Sequence, residues 1–231
     1  YLDLPLDVGL VSTPLVKDGV LYFTGTMNVI RAVDARSGQI LWSYDPKVAE
    51  EIEQAGRQQV GWVHNRGISM FGDKLFFGAL DGKLYALNKE TGISVWSQPF
   101  DAGDWLWSSP ISEGENLYVV TVKGKVISLD VTTGRMRWNT DLETMVIAAP
   151  VLVEKQGSKR LVVATKEGEI AVLRTSNGIE DGGRIPVSDG DNGEVKIKAG
   201  LGVSGSVIYM NTMDQTPQHS ILHQRLLMEF D

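Results

Sequence analysis

The sequence predicts an all-β fold built from repeated small sheets, and three observations carry that reading. The motif Ala/Ser-x-Asp/Asn-x-x-Thr/Ser-Gly-x-x-x-Trp occurs three times, with its glycine at Gly38, Gly92 and Gly134 and its tryptophan at Trp42, Trp96 and Trp138. Glycine-to-glycine steps of 54, 42 and 44 residues, the last reaching Gly178, match the period of four-stranded propeller blades. Finally, 25 glycines fall in regularly spaced turn signals, and helical periodicity is nearly absent. Together these predict a β-propeller of four-stranded antiparallel blades, about five in this chain.

The clearest copy runs from Gly67 to Ser97. Ile68-Ser69-Met70, Lys74–Gly78 and Lys83–Leu87 are short β-rich runs, and Asp81-Gly82 between the last two is a strong hairpin signal. Glu90-Thr91-Gly92 then turns the chain into Ile93-Ser94-Val95-Trp96, read as the fourth strand. So small a sheet cannot stand by itself, so its copies must stack face to face. Trp42, Trp96 and Trp138 are the expected docking residues. Each indole is large enough to cover the gap to the next blade, should be largely buried there, and can donate its N–H to a carbonyl across the gap. The glycine four residues earlier permits the positive φ of a tight turn.

Residues 1–231 read as one domain with blades at about 10–45, 66–100, 108–141, 148–186 and 200–230. The fourth copy keeps Gly178 but has Gly182 where the tryptophan is due. A fifth, weaker copy begins near Gly200, has Ser206–Met210 as a strand, and compresses into Ser220–Leu222 and Leu226–Phe230. Tyr1–Leu6 alternates and is expected to close the ring as a strand of the last blade. Two insertions interrupt the period. In residues 46–61, Asp45 can cap a helix with Pro46 at its first position and Val48, Ile52 and Ala55 on one face, ending near Gly56. Residues 180–195, rich in Asp, Gly and Asn, read as a loop or extended hairpin.

A net charge of −7 without a lysine or arginine cluster argues against nucleic acid and anionic membrane surfaces as partners. No stretch approaches the eighteen apolar residues of a membrane span, and no signal peptide is present, although a mature exported protein without its leader would look the same. The absence of cysteine removes disulfides, thiolate metal sites and thiol nucleophiles together.

The blade signature resembles the pyrroloquinoline-quinone-type (PQQ-like) propeller repeats over most of the chain. Tyr1-Leu2-Asp3-Leu4, Thr13-Pro14-Leu15-Val16, Leu41–Pro46 and His64-Asn65-Arg66-Gly67 look like the opening blades of quinoprotein alcohol dehydrogenases. From Asp104 onward the plain short blades are similar to the non-catalytic branch, typified by the B subunit of the outer-membrane protein assembly machine. A fragment, a diverged paralogue or an engineered join would each produce that change of character. The dehydrogenase resemblance implies PQQ held between a vicinal cysteine pair and a tryptophan floor, with calcium bound by Glu and Asn and an Asp base. At the matching positions stand Val60 and Gly61 for the cysteines and Val11 for an acid, and Val122-Lys123-Gly124-Lys125 closes a tight hairpin where a Ser-Gly-Ala-Glu segment would carry a metal ligand. Of that set Arg66 survives and would pair a quinone carboxylate.

Other constellations favour plain structural roles. Arg66 beside His64 could bind an anion at the ring mouth, but an arginine bridging two blades through carbonyls is the expected role. His219 and His223 sit four apart in an expected strand or turn, where they would not share a face as on a helix. Asp181, Asp189, Asp191 and Glu194 suggest part of a calcium loop without its glutamate in register, so a solvated loop is expected. Hence no catalytic or metal-binding residue is assigned. Trp105 and Trp107 flank Leu106 before the third blade, one expected in the core and the other exposed at the axial mouth near Trp62 and His64. Trp62, His64, Trp105 and Trp107 are the candidate contact residues, of the types enriched at binding hot spots. The leading expectation is a non-catalytic propeller presenting this face to other envelope proteins or to a second copy, without cofactor, in the periplasm or outside the cell. The rival is a PQQ- and calcium-dependent alcohol dehydrogenase or a cofactor-binding relative of one.

Overall fold

The computed structural model describes residues 4, 12–50, 67–155, 157–187, 196–204, 207–213 and 222–229. These carry five antiparallel sheets, each a meander in chain order. The first comprises β1 (Leu15–Lys17), β2 (Val20–Thr24), β3 (Ile30–Asp34) and β4 (Ile40–Tyr44). The second comprises β5 (Ser69–Phe71), β6 (Lys74–Gly78), β7 (Lys83–Asn88) and β8 (Phe100–Asp101). The third holds β9 (Ile111–Glu113), β10 (Asn116–Val120), β11 (Lys125–Asp130) and β12 (Met136–Asp141). The fourth holds β13 (Val151–Lys155), β14 (Ser158–Ala164), β15 (Glu169–Arg174) and β16 (Ile185–Pro186). The fifth has β17 (Lys196–Ser204), β18 (Val207–Met213) and β19 (Leu222–Glu229). This repeated meander is the blade of an all-β propeller.

Burial follows position within the blade. Middle strands are covered on both faces, so β6 and β7 are buried over Leu75–Gly78 and Leu84–Leu87. Outer strands alternate, as β12 does, with one face left to solvent. The chain forms two compact units, one of residues 1–116 with 130–135, the other of residues 117–129 with 136–231. In the first, Tyr22, Ile30, Leu75, Phe77, Tyr85 and Leu87 form one core cluster, capped by the fully buried Val48. In the second, Val153, Val162, Ile170, Val172, Ile208 and Met210 do the same work. The members alternate along their strands, which is the period-2 signature of a sheet face.

The motif turn is built by its first polar residue. Asp34 Oδ1 accepts from Ser37 N at 2.6 Å and Ser37 Oγ at 2.8 Å. Asn88 Oδ1 accepts from Thr91 N at 3.0 Å and Thr91 Oγ1 at 3.1 Å. Asp130 Oδ1 accepts from Thr133 N at 2.8 Å and Thr133 Oγ1 at 2.9 Å. One oxygen thus holds an amide and a hydroxyl three residues on, which is why the motif needs Asp or Asn there and Thr or Ser before the glycine. The glycine amide then returns to the carbonyl of that first residue, at 2.9 Å for Gly38, Gly92 and Gly134.

Each motif tryptophan reaches the turn of the following repeat. In the first unit, Trp42 Nε1 donates to Lys89 O at 3.0 Å, and Trp96 Nε1 to Val131 O at 3.1 Å. In the second, Trp138 Nε1 donates to Thr175 O at 3.0 Å. Beneath each indole lies the glycine of that turn. A Cβ on Gly92 would stand 2.6 Å from Trp42 Cε3, one on Gly134 would stand 2.7 Å from Trp96 Cδ2, and one on Gly178 would stand 2.4 Å from Trp138 Cε3. Within its own sheet each indole leans on an aromatic ring of the second strand, Tyr22, Phe76 or Tyr118, at centroid distances of 6.2, 5.8 and 5.8 Å. Trp96 is buried, while Trp42 and Trp138 are half-buried, less covered than the motif suggests.

Several elements differ from their sequence reading. Ile93–Trp96 is no ladder strand: Ser94 makes one bridge to Leu87, and the fourth strand is Phe100–Asp101, beyond Pro99. Proline has no amide to donate, so the ladder resumes only after it. The fourth sheet takes Ile185–Pro186, at the end of the blade expected over 148–186, from the stretch read as a loop or extended hairpin. The fifth sheet begins at Lys196 rather than near Gly200 and has three described strands, long ones. In the first insertion Asp45 Oδ1 accepts from Lys47 N at 2.8 Å and residues 48–50 are helical, while the rest of the expected helix lies outside the described residues. The expected closing strand Tyr1–Leu6 also lies outside them, apart from Leu4.

Candidate functional site

The candidate contact residues that the structure describes sit on the connection from β8 to β9. That connection is fixed at its start by backbone bonding. Asp101 Oδ1 accepts from Gly103 N at 2.8 Å, and Ala102 N donates to Gly82 O at 2.9 Å. Gly103 has φ +74°, the left-handed conformation that turns the chain here.

The run Trp105-Leu106-Trp107 then alternates, and its buried member is Leu106 at 2% exposure. Leu106 presses on the end of β6, where a Cβ at Gly78 would stand 2.5 Å from Leu106 Cβ. Glycine is therefore required at the end of that strand for close approach. Neither tryptophan is a core residue. Trp105 is 45% exposed and Trp107 is half-buried. Leu106 is the anchor that the sequence reading missed, and Gly78 at a strand end was the available signal for it.

The hairpin beneath this connection carries a buried carboxylate. Asp81 has 3% side-chain exposure, with its Nζ partner Lys83 at 3.5 Å. Its Oδ1 accepts from Lys83 N at 2.9 Å and its Oδ2 accepts from Tyr85 OH at 2.8 Å. Tyr85 stacks on Phe77 at 5.1 Å, and Tyr44 meets both rings edge-on. Burial, then the negative charge of Asp81, pushes the Tyr44 phenol above its ordinary pKa. The first sheet supports the same hairpin, since Leu80 N donates to Asn28 Oδ1 at 3.2 Å. Asn28 is fully buried, and with Met27 it holds a left-handed backbone, φ 61° and 56°. What emerges is a hydrogen-bonded hairpin that receives the start of the connection bearing the exposed Trp105.

Trp62, His64 and Arg66, together with Val60, Gly61 and Val11, lie outside the described residues. So do His219 and the acids Asp189, Asp191 and Glu194, while for His223 only the backbone of β19 is described. Asp181 is engaged elsewhere, with Arg160 Nε at 2.6 Å and Arg174 Nη2 at 3.2 Å.

Of the positions that the dehydrogenase resemblance assigns to the cofactor site, the turn at Val122–Lys125 is the one described. In place of a ligand-bearing segment in the third sheet, Thr121 N donates to Lys125 O and Gly124 N to Thr121 O, both at 2.9 Å. Leu142 N and Val146 N occupy the carbonyls of Gly124 and Val122 at 3.1 and 3.0 Å. A Cβ on Gly124 would stand 2.0 Å from Thr144 O, so the turn has no room for a side chain. Among the described residues no three His, Cys, Asp or Glu side chains gather to hold a metal ion. Among the described residues, too, no helix is long and apolar enough to cross a membrane.

Known proteins bear on both branches. The chain is 47% identical over 90 residues to the quinoprotein alcohol dehydrogenase PedH of Pseudomonas putida, covering 39% of this chain and 14% of that protein. It is 36% identical over 147 residues to the quinohemoprotein alcohol dehydrogenase ADH IIB of Pseudomonas putida, covering 60% of this chain and 21% of that protein. The chain thus spans less than a quarter of the length of these relatives. In fold, 96% of the chain superposes on 43% of the quinohemoprotein alcohol dehydrogenase of Comamonas testosteroni with a TM-score of 0.69 at 17% identity. It superposes on 66% of BamB from Moraxella catarrhalis with a TM-score of 0.66 at 15% identity. A family profile matches residues 2–61 and 26–211. By that match, the chain belongs to the PQQ-repeat β-propeller family described as outer membrane protein assembly factor BamB.

Proposed function

We propose that the chain is a non-catalytic propeller scaffold of the bacterial cell envelope, which offers its blade-to-blade connections to a protein partner. The observation that carries this reading is Trp105, a 45% exposed indole held on a backbone pinned by Leu106 and Gly82. A rigid exposed aromatic loses little entropy on binding and buries a large area, which is how hot spots work. Trp107 on the same connection, and Trp62 and His64 upstream, are proposed to widen the contact. The partner is another envelope protein or a second copy of this chain. Likeness to BamB supports this class of role and a periplasmic or extracellular setting. The test is Trp105→Ala in a normally folded chain. Lost association with a defined partner, or a lost dimer in sedimentation, supports the reading, and unchanged association in both assays overturns it.

A second reading follows from the relatives: the chain is part of, or derived from, a quinoprotein alcohol dehydrogenase, with Arg66 pairing a carboxylate of PQQ. The tight turn at Val122–Lys125 counts against it. Titration with PQQ and calcium separates the two. A ligand at a hundredfold over its dissociation constant stabilises a fold by about 2.7 kcal/mol. A rise in melting temperature that corresponds to that free energy would support cofactor binding by this chain, and its absence removes cofactor binding by this chain.

A further inference from the structure

We infer that the turn Thr175-Ser176-Asn177-Gly178 is a site of spontaneous asparagine deamidation, and that docking of Trp138 sets its rate. The other motif turns have Ser37, Thr91 or Thr133 before the glycine, whereas this one has Asn177. Asparagine followed by glycine is the pair most open to this chemistry, because glycine offers no side chain to hinder attack by its own amide. The Gly178 nitrogen attacks Asn177 Cγ, the Cγ–Nδ2 bond breaks and ammonia leaves with the amide proton. Water then opens the resulting succinimide at either carbonyl to give aspartate or isoaspartate. No other reactant is required.

The folded turn opposes each requirement of that step. Asn177 is exposed, so water reaches it, but Gly178 is buried. The Gly178 amide already donates to Arg174 O at 2.9 Å, and Asn177 Oδ1 accepts from Ile179 N at 3.1 Å. Both reacting groups are therefore held in bonds of their own. Movement is blocked as well. Trp138 covers Gly178 so closely that a Cβ would lie 2.4 Å from Cε3, and Thr140 Oγ1 grips Gly178 O at 2.7 Å. Trp138 Nε1 holds Thr175 O at 3.0 Å at the start of the turn. The succinimide forms when these contacts open together, so the chemistry counts openings of this one joint.

The two products differ in consequence. Aspartate at 177 keeps an acceptor for Ile179 N and leaves the backbone unchanged. Isoaspartate adds a backbone atom between Ser176 and Gly178, which displaces the glycine from beneath the indole. Deamidation to isoaspartate thus converts a transient opening into a permanent loosening of the joint between the third and fourth repeats.

The experiment is incubation of the purified chain at mildly alkaline pH, with peptide mapping of residue 177 by mass spectrometry and chromatographic separation of the isoaspartyl form. A synthetic Thr-Ser-Asn-Gly-Ile peptide sets the unprotected rate. The wild-type chain should react far more slowly than the peptide. Trp138→Ala should react about tenfold faster than wild type, equivalent to about 1.4 kcal/mol of easier opening. Should Trp138→Ala fail to fold, Thr140→Val and low, non-denaturing urea on the wild type should each raise the rate, and Asn177→Ser should abolish the signal. A wild-type rate equal to the peptide's overturns the protection. Rates in the variants and in urea no faster than wild type overturn the role of the joint.

Discussion

The indole of Trp138 occupies the space that a side chain at position 178 would need, with Cε3 2.4 Å from where a Cβ would lie. The same relationship links Trp42 with Gly92 and Trp96 with Gly134. The glycine of the motif therefore has two tasks. At φ near +70° it makes the turn, and as a surface without a side chain it receives the preceding repeat's tryptophan. Motif glycine and motif tryptophan are partners across repeats, not within one.

Substitutions at this joint should then fail from either side. Trp96→Ala removes a buried indole and should cost about 3–5 kcal/mol, with less at the half-buried Trp42 and Trp138. Gly134→Ala places a methyl under Trp96 at a positive φ and should cost about 1–3 kcal/mol. Denaturant midpoints check both. An unchanged midpoint for Gly134→Ala would mean the indole moves aside freely.

Acid should weaken the motif turns unequally. The Ser37 amide and hydroxyl on its carboxylate, in that order of effect, hold Asp34 below the ordinary aspartate range. A depressed folded-state pKa means stability that is fully present above the unfolded value and is lost as pH falls through the folded one. Asn88 makes the same bonds without titrating. Asp34→Asn should therefore leave neutral-pH stability nearly unchanged and flatten the fall in melting temperature on acidification. A melting profile as steep as wild type would place the acid sensitivity elsewhere, with Asp181, lowered by Arg160 and Arg174, as the next group to replace.

Asp81 makes a contrasting case, because its side chain is almost wholly covered. Asp81→Ala removes two hydrogen bonds, from Lys83 N and from the Tyr85 hydroxyl, and should cost about 1–3 kcal/mol. Urea denaturation of the variant measures it. Loss of nothing would mean that water replaces the carboxylate.

The repeat was legible because its spacing is imposed by backbone chemistry. In three repeats an Asp or Asn accepts from the amide and hydroxyl of a Ser or Thr three residues later, and a tryptophan four residues beyond the glycine docks on the next turn. What the sequence hid were the features set by neighbours. Gly92 and Gly78 look alike in sequence, yet one makes a turn under Trp42 while the other ends β6 so that Leu106 can approach. In the second blade Ile93–Trp96 has the β-propensity of a fourth strand, yet it makes one bridge, through Ser94, and ladder pairing resumes at Phe100, beyond Pro99. In the fourth repeat the loss of tryptophan at Gly182 goes with loss of its aromatic support, since Val162 stands in line with Tyr22, Phe76 and Tyr118. That pairing of losses is visible in the sequence once the contact is known.

The candidate contact gives a prediction that separates binding from folding within two adjacent residues. Leu106 is buried at 2% exposure against Gly78, so Leu106→Ala should cost about 2–5 kcal/mol through the cavity it leaves. Trp105 is 45% exposed, and a surface substitution of that kind usually stays within about 0.5 kcal/mol. Thermal denaturation should therefore single out Leu106→Ala, while Trp105→Ala melts near wild type and loses only its association. A Trp105→Ala variant that melts as early as Leu106→Ala would assign the indole to packing, because an exposed hot-spot residue contributes to stability only when its partner is present.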